Sequence, residues 1–304
     1  MLEEYRSCLL GAAIGDALGM PVETGPSTLR NMKYGYRKAW RAHPNARLEP
    51  GQYTDDTQMM LLVAELFADE TYSLERYSEE LKKMYRAGKL RFPDGSVGAA
   101  CEHLTTRGYG ESGVTSTTTG CINLAIPFAL VFDDVVELRE RLVQACSVTH
   151  THPAAHAAAI TLAILIRATI TGSHNAISIA QKNASLEDAT LGAKIRKALE
   201  LAQEGFSLEA ALSVIGNDVS IYQTLPLAFH LISRYDSVET LLNVAANCGG
   251  NTDTIGFICG AYAGAAYGIA AFPPDLVSGM EGREKIESLA ERLYVRYAEK
   301  INHF

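Results

Sequence analysis

The 304-residue chain has one Trp, no C-x-x-C pair among its six Cys, and almost no strict alternation of apolar and polar residues. The missing alternation argues against half-buried strands. Without close pairing, the cysteines at 8, 101, 121, 146, 248 and 259 outline neither a disulfide frame nor a zinc ribbon, and they read as reduced core thiols of a cytosolic protein. An excess of positive charge is missing too: 35 acids stand against 27 bases, a formal charge of −8. That balance excludes the electrostatic footprint of a nucleic-acid binder and favours small-molecule or protein partners. The amino terminus, MLEEYRSCLL, lacks the basic region and apolar run of an export signal, so a cytoplasmic location is expected. With neither a Pro- or Ser-rich linker nor an internal repeat in view, the chain reads as one compact domain over residues 1–304, expected to be a monomer. A chain of this length can bury a sizeable core, so any metal site needs a chemical reason.

What is present is helical periodicity. Spacings of three and four predict an all-α protein with helices near 3–13, 56–69, 73–87, 97–106, 122–132, 135–147, 154–171, 187–204, 207–215, 223–235, 237–247, 254–271 and 282–302. Residues 255–272 carry no charge and place Gly256, Gly260, Gly264 and Gly268 four apart, which touches the lower limit for a membrane span. Ala, Gly and Tyr dominate it, Asp253 precedes it and Pro273-Pro274 ends it. The expectation is therefore a buried helix in close backbone contact, with no membrane span. The least helical regions, 20–56 and 88–121, are long enough to suggest that they line a site.

Four groups carry chemistry. Thr54-Asp55-Asp56-Thr57 opens a helix with two adjacent carboxylates and flanking hydroxyls. It reads either as a generous N-cap or as hard oxygen ligands for Mg2+ or Mn2+. The second group, Cys248-Gly249-Gly250-Asn251-Thr252-Asp253-Thr254, also leads into an apolar helix. Facing each other, the two would let Thr54, Asp55, Asp56, Asn251, Asp253 and Thr254 hold one or two divalent cations, with Gly249 and Gly250 where a ligand nears the backbone. The third, Gly11 to Glu23, reads as a glycine-punctuated helix end with a carboxylate on its exit loop. The fourth, Ser147-Val148-Thr149-His150-Thr151-His152-Pro153 with His156, reads as zinc ligation or as hydrogen-bonding histidines; Pro153 and the absence of H-E-x-x-H favour the latter. Lys82, Lys83, Arg86, Lys89 and Arg91 read as a solvated helix face or as phosphate contacts.

In order, GAAIGDALGMPVE, YTDDTQM, SVTHTHPAA and CGGNTDTIGFICGA resemble the motifs of the ADP-ribosylglycohydrolase family, from about residue 5 to 270. The resemblance implies a compact all-α fold with a central cleft holding two Mg2+ or Mn2+ ions. It also implies hydrolysis at the anomeric ribose carbon of ADP-ribose on a protein side chain or small molecule. Matched residue by residue, Thr54, Asp55 and Asp56 form the first metal triplet, and Asp253 and Thr254 the second. The same matching gives Glu23 and Asp56 to catalysis, Asp94 to proton transfer, and His150, Gly120 and Gly250 to the substrate. Asn251 stands where the family has an aspartate, which weakens one metal, and Leu124 stands where it has an arginine. Those departures keep a smaller N-riboside or a non-catalytic nucleotide-binding relative in view. An isoprenoid synthase is disfavoured, since no D-D-x-x-D follows Asp55.

Overall fold

The computed structural model describes residues 1–301, with side chains as far as residue 297. Among the described residues fifteen α-helices follow one another: α1 Leu2–Gly19, α2 Asp55–Ala68, α3 Leu74–Arg86, α4 Gly95–Thr106, α5 Ala125–Val131, α6 Val135–Cys146, α7 Pro153–Ile170, α8 Ala176–Glu187, α9 Ala189–Gln203, α10 Leu208–Ile215, α11 Ile221–Arg234, α12 Val238–Ala245, α13 Thr252–Tyr267, α14 Pro274–Ser278 and α15 Arg283–Ile301. Among the described residues there is no strand, only two isolated bridges. The all-α expectation therefore holds. One continuous apolar cluster, from Tyr5 to Tyr297, draws on almost every helix.

The centre of the fold is the pair α1 and α13. A Cβ on Gly15 would lie 1.9 Å from the carbonyl oxygen of Gly256, and one on Gly260 would lie 2.0 Å from that of Gly11. The two backbones touch, and only hydrogen fits between them. This explains why α1 runs to Gly19 rather than ending near 13: its glycines serve contact and do not stop the helix. Residues 255–272 likewise form no span, because α13 ends at Gly268 and a short 3-10 turn follows. The one described helix long and apolar enough to cross a membrane is α7, and 72% of it is buried inside the protein.

The helix expected over 187–204 appears as α9, Ala189–Gln203. Asp188 ends α8 in extended backbone and caps α9 by accepting from the Leu191 N–H at 2.8 Å. α8, Ala176–Glu187, forms in a stretch where the spacing predicts no helix. The predicted last residue of the final helix, 302, lies outside the described residues.

Candidate active site

The amino ends of α2, α4 and α13 and the exit loop of α1 meet at one cleft of ≈ 910 Å³. Its wall includes Glu23, Asp55, Asp56, Asp94, Asp218 and Asp253, and among the described residues no Lys, Arg or His lines it.

The start of α2 decides between the cap and ligand readings. Asp16, fully buried on α1, accepts the Thr54 N–H at 3.0 and 3.1 Å, the Thr57 N–H at 3.1 Å and the Thr57 hydroxyl at 2.6 Å. Thr54 Oγ1 accepts from the Asp56 N–H only at 3.4 Å. A carboxylate from another helix thus does the capping, which leaves the side chains of Asp55 and Asp56 to the cleft. Sequence reasoning passed over Asp16, although a lone acid inside the apolar run GAAIGDALGM had to find buried donors. Asp16→Ala would strand those donors, and we expect a loss of about 3 kcal/mol, read as a melting temperature lower by about 5–10 °C.

Asp56 is held on both oxygens, Oδ1 accepting from Asn123 Nδ2 at 3.0 Å and Oδ2 from the Thr254 hydroxyl at 2.7 Å. Asn123, also missed from sequence, is fully buried on the turn before α5. Asp253 accepts the Thr254 N–H at 2.8 Å. The loop before α13 turns through two consecutive left-handed glycines. A Cβ on Gly250 would lie 2.0 Å from the Asn217 carbonyl oxygen, so no larger residue fits there. Backbone bonds from Thr24 N–H to Gly250 O (2.8 Å) and from Gly250 N–H to Gly25 O (3.0 Å) tie this loop to Glu23. Asn45 donates to the Glu23 carboxylate at 3.2 Å.

Asn251 is oriented by its neighbours. The Thr224 hydroxyl donates to Asp218 O at 2.7 Å and so meets Asn251 as an acceptor. Asn251 Nδ2 accordingly donates to Thr224 Oγ1 and Thr119 Oγ1, both at 3.0 Å. Its Oδ1 takes no hydrogen bond among the described residues and is left as a neutral oxygen at the cleft wall.

Burial and mutual repulsion push these acids above the ordinary carboxylate range. For Asp55, burial comes first and then the charges of Asp56, Asp253 and Asp94. Burial raises Glu23 as well, followed by Asp253 and Asp55. Asp253 is pushed up by burial and then by Asp56, and Asp56 by burial against the pull of Asn123 and Thr254. Asp94 caps α4, its Oδ1 accepting the Ser96 and Val97 N–H groups at 2.7 and 2.8 Å, while its buried Oδ2 has no hydrogen-bond partner among the described residues. Among the described residues no three His, Cys, Asp or Glu side chains stand as a preformed metal-binding group. The chemistry of the set nevertheless fits a hard divalent cation: crowded oxygens, no sulfur or imidazole, and no cation on the wall to offset them.

Several expected residues stand behind the wall. His150 is fully buried, shares a hydrogen bond with Thr118 Oγ1 at 2.9 Å, and lies 3.9 Å from Asp94 Oδ2. Burial lowers its pKa. It therefore meets the cleft only through Thr118 and Asp94. The three histidines do not gather for zinc: His152 caps α7 by accepting the Ala154 N–H, and His156 bonds the His150 carbonyl at 2.7 Å. Gly120 is on the wall, wedged where a Cβ would come 2.7 Å from Asp94 Oδ2 and 3.1 Å from His150 Cε1. Leu124 is buried in the core, away from the cleft. Of the basic run, Lys82 and Lys83 pair with Glu79 and Glu80, and Arg91 with Glu281 at 2.8 Å.

The sequence pattern of "ADP-ribosylglycohydrolase" matches residues 1–302. An uncharacterized protein of Archaeoglobus fulgidus is 32% identical, over 97% of each chain. The ADP-ribosylhydrolase ARH3 of Mus musculus is 24% identical, over 96% of this chain and 91% of its own. The ADP-ribosyl-[dinitrogen reductase] glycohydrolase of Rhodospirillum rubrum is 26% identical, over 90% and 88%. A solved structure described as an ADP-ribosylglycohydrolase-related protein complex superposes with a TM-score of 0.77 at 25% identity, over 97% of this chain and 98% of that one. With the match running along nearly the whole sequence and the fold shared, this chain belongs to the ADP-ribosylglycohydrolase family of glycosidic-bond hydrolases.

Proposed function

We propose that the chain hydrolyses the glycosidic bond at the anomeric ribose carbon of ADP-ribose carried by a protein side chain or small molecule, and that it needs Mg2+ or Mn2+ to do so. The observation that carries this reading is the convergence of Glu23, Asp55, Asp56, Asp94 and Asp253 on one cleft with no basic side chain in its wall. Asp55, Asp56, Asp253, the Thr254 hydroxyl and Asn251 Oδ1 would hold the cations, with Thr54 behind them as the N-cap. When bound, such cations would supply positive charge that orients ribose hydroxyls and lowers the pKa of a bound water.

The chain's own groups do the rest. Asn123 and Thr254 hold Asp56 in one orientation. Glu23 takes the proton of the attacking water as the water oxygen bonds the anomeric carbon and the bond to the acceptor atom breaks, and it then returns a proton to the departing acceptor; Asp94, whose Oδ2 has no hydrogen-bond partner among the described residues, is the second candidate. Gly120 and Gly250 complete the wall, where a side chain would press into Asp94 and His150 or into Asn217. A second reading, hydrolysis of a smaller N-riboside, is favoured by the same lack of cationic side chains to meet a diphosphate.

The test is the thermal stability of chelator-treated protein with and without Mg2+ or Mn2+ and ADP-ribose. At ligand about 100-fold above Kd, stabilisation of about 2.7 kcal/mol is expected, and it should be absent in Asp55→Ala. No response to metal or to ADP-ribose sinks the proposal. Turnover of nucleosides but not of ADP-ribosylated arginine or serine moves it to the second reading.

A further inference from the structure

We infer that residues 24–48, beside the cleft mouth, form a docking surface for an acidic stretch of the modified polypeptide. This rests on the reading that the substrate is ADP-ribose on a protein.

In a chain of formal charge −8, residues 24–48 contain no Asp or Glu and six bases: Arg30, Lys33, Arg37, Lys38, Arg41 and Arg47. Lys38 pairs with Glu49. Arg30, Lys33, Arg41 and Arg47 are exposed, and among the described residues none of them forms an ion pair. Arg37 is half-buried, and its Nε is buried without a hydrogen-bond partner. Trp40 and Tyr34 stand among them, each 63% exposed.

The segment is joined to the site. Thr24, Gly25 and Pro26 line the cleft at its start, and Phe92 lines it from the other side. The His43 ring lies 6.2 Å from Phe92 and 6.2 Å from Trp40, so an aromatic row runs from the cleft to the exposed loop. The loop is also held in place without a partner. Buried Asn247 accepts the Thr28 hydroxyl at 2.7 Å and the Lys33 N–H at 3.1 Å and donates to Lys33 O at 3.0 Å, while the Tyr36 hydroxyl donates to Leu276 O at 2.9 Å. A preordered surface loses little entropy on binding.

The cleft wall is acidic, so an anion arriving at the mouth finds its unpaired cations on this segment. Interleaved aromatics and bases also suit single-stranded nucleic acid. A polynucleotide, however, carries charge along its whole length and would run on past the acidic wall of the cleft. A few carboxylates flanking the modified residue match four free cations and stop there, and complementary charge of this kind acts mainly on encounter rate and specificity.

The experiment uses peptides ADP-ribosylated at one residue with Glu-rich, neutral or Lys-rich flanks, together with the free ADP-ribosylated amino acid. For the wild type at low salt, kcat/KM should be about tenfold higher for the acidic than for the neutral peptide, and the difference should collapse at about 0.5 M salt. The Lys33→Glu/Arg41→Glu variant should lose the preference yet turn over the free ADP-ribosylated amino acid at the wild-type rate. In parallel, an unmodified fluorescent Glu-rich peptide should bind the wild type and not the variant. Equal kcat/KM for all flanks, or tighter binding of a single-stranded oligonucleotide than of the acidic peptide, overturns the inference. Peptide binding with no turnover of any ADP-ribosylated compound supports the surface and rejects the proposed activity instead.

Discussion

Gly256→Val is expected to yield no stably folded protein. A Cβ built on Gly256 lies 2.2 Å from the Gly15 carbonyl oxygen and 2.8 Å from its carbon. Both belong to the backbone of a buried helix, so no rotamer change relieves the clash. Relief requires separating α1 from α13 along their length, which would expose Leu9, Ile14, Phe257 and Ile258, all fully or almost fully buried. Overpacking usually costs about 1–3 kcal/mol; with backbone on both sides we expect more than about 3 kcal/mol, a large fraction of the stability of an ordinary domain. The consequence is functional as well, because α1 carries Asp16 and leads to Glu23 while α13 opens with Asp253 and Thr254. Gly98→Ala is the control. Nothing lies within 4 Å of its Cβ, it sits inside α4, and the change should raise stability by about 0.5–1 kcal/mol. Urea unfolding of both variants decides the matter: a Gly256→Val protein with wild-type midpoint would show that the helices are not locked by this contact.

Asp55→Asn should move stability and activity in opposite directions. Its side chain has no hydrogen-bond partner among the described residues, and burial with four neighbouring acids raises its pKa, so the ionised form strains the metal-free fold. Removing that charge should raise the melting temperature of chelator-treated protein by about 2–4 °C, while metal-dependent stabilisation disappears and turnover falls about 1000-fold. The pH dependence follows the same sign. An acid with a raised folded pKa binds more protons folded than unfolded, so stability falls as pH rises above the unfolded value of about 4 and continues to fall up to the folded one. The metal-free wild type should therefore be less stable at neutral than at mildly acidic pH, and Asp55→Asn should flatten that slope. Calorimetry across pH, with and without Mg2+, measures both. An unchanged slope, or turnover within about tenfold of wild type, would remove Asp55 from the centre of the site.

At Thr54-Asp55-Asp56 the helix start alone favours a cap, since cap and ligand use the same residue types, and in the sequence only the second oxygen cluster at Asn251 to Thr254 tips the reading toward ligands. What separates them is Asp16, 38 residues earlier, whose carboxylate takes over the capping bonds. Asn123 was equally hidden: nothing in Thr119 to Leu124 says that Asn123 meets Asp56 while Leu124 turns into the core. His150 shows the reverse, a residue prominent in sequence that the fold places one layer behind the wall.

By itself, the amino-acid sequence determined what depends on neighbours within a turn or two. Spacings of three and four set the helices, two oxygen-rich segments marked the starts of α2 and α13, and glycines four apart announced a helix that another backbone must touch. Only the tertiary structure decided which helix that was, which carboxylates are spent on capping and which remain free, and how deep each side chain lies. The physical reason is that hydrogen-bond partnership and burial are set by atoms close in space. At this site those atoms come from α1, α2, α4 and α13, elements far apart along the chain.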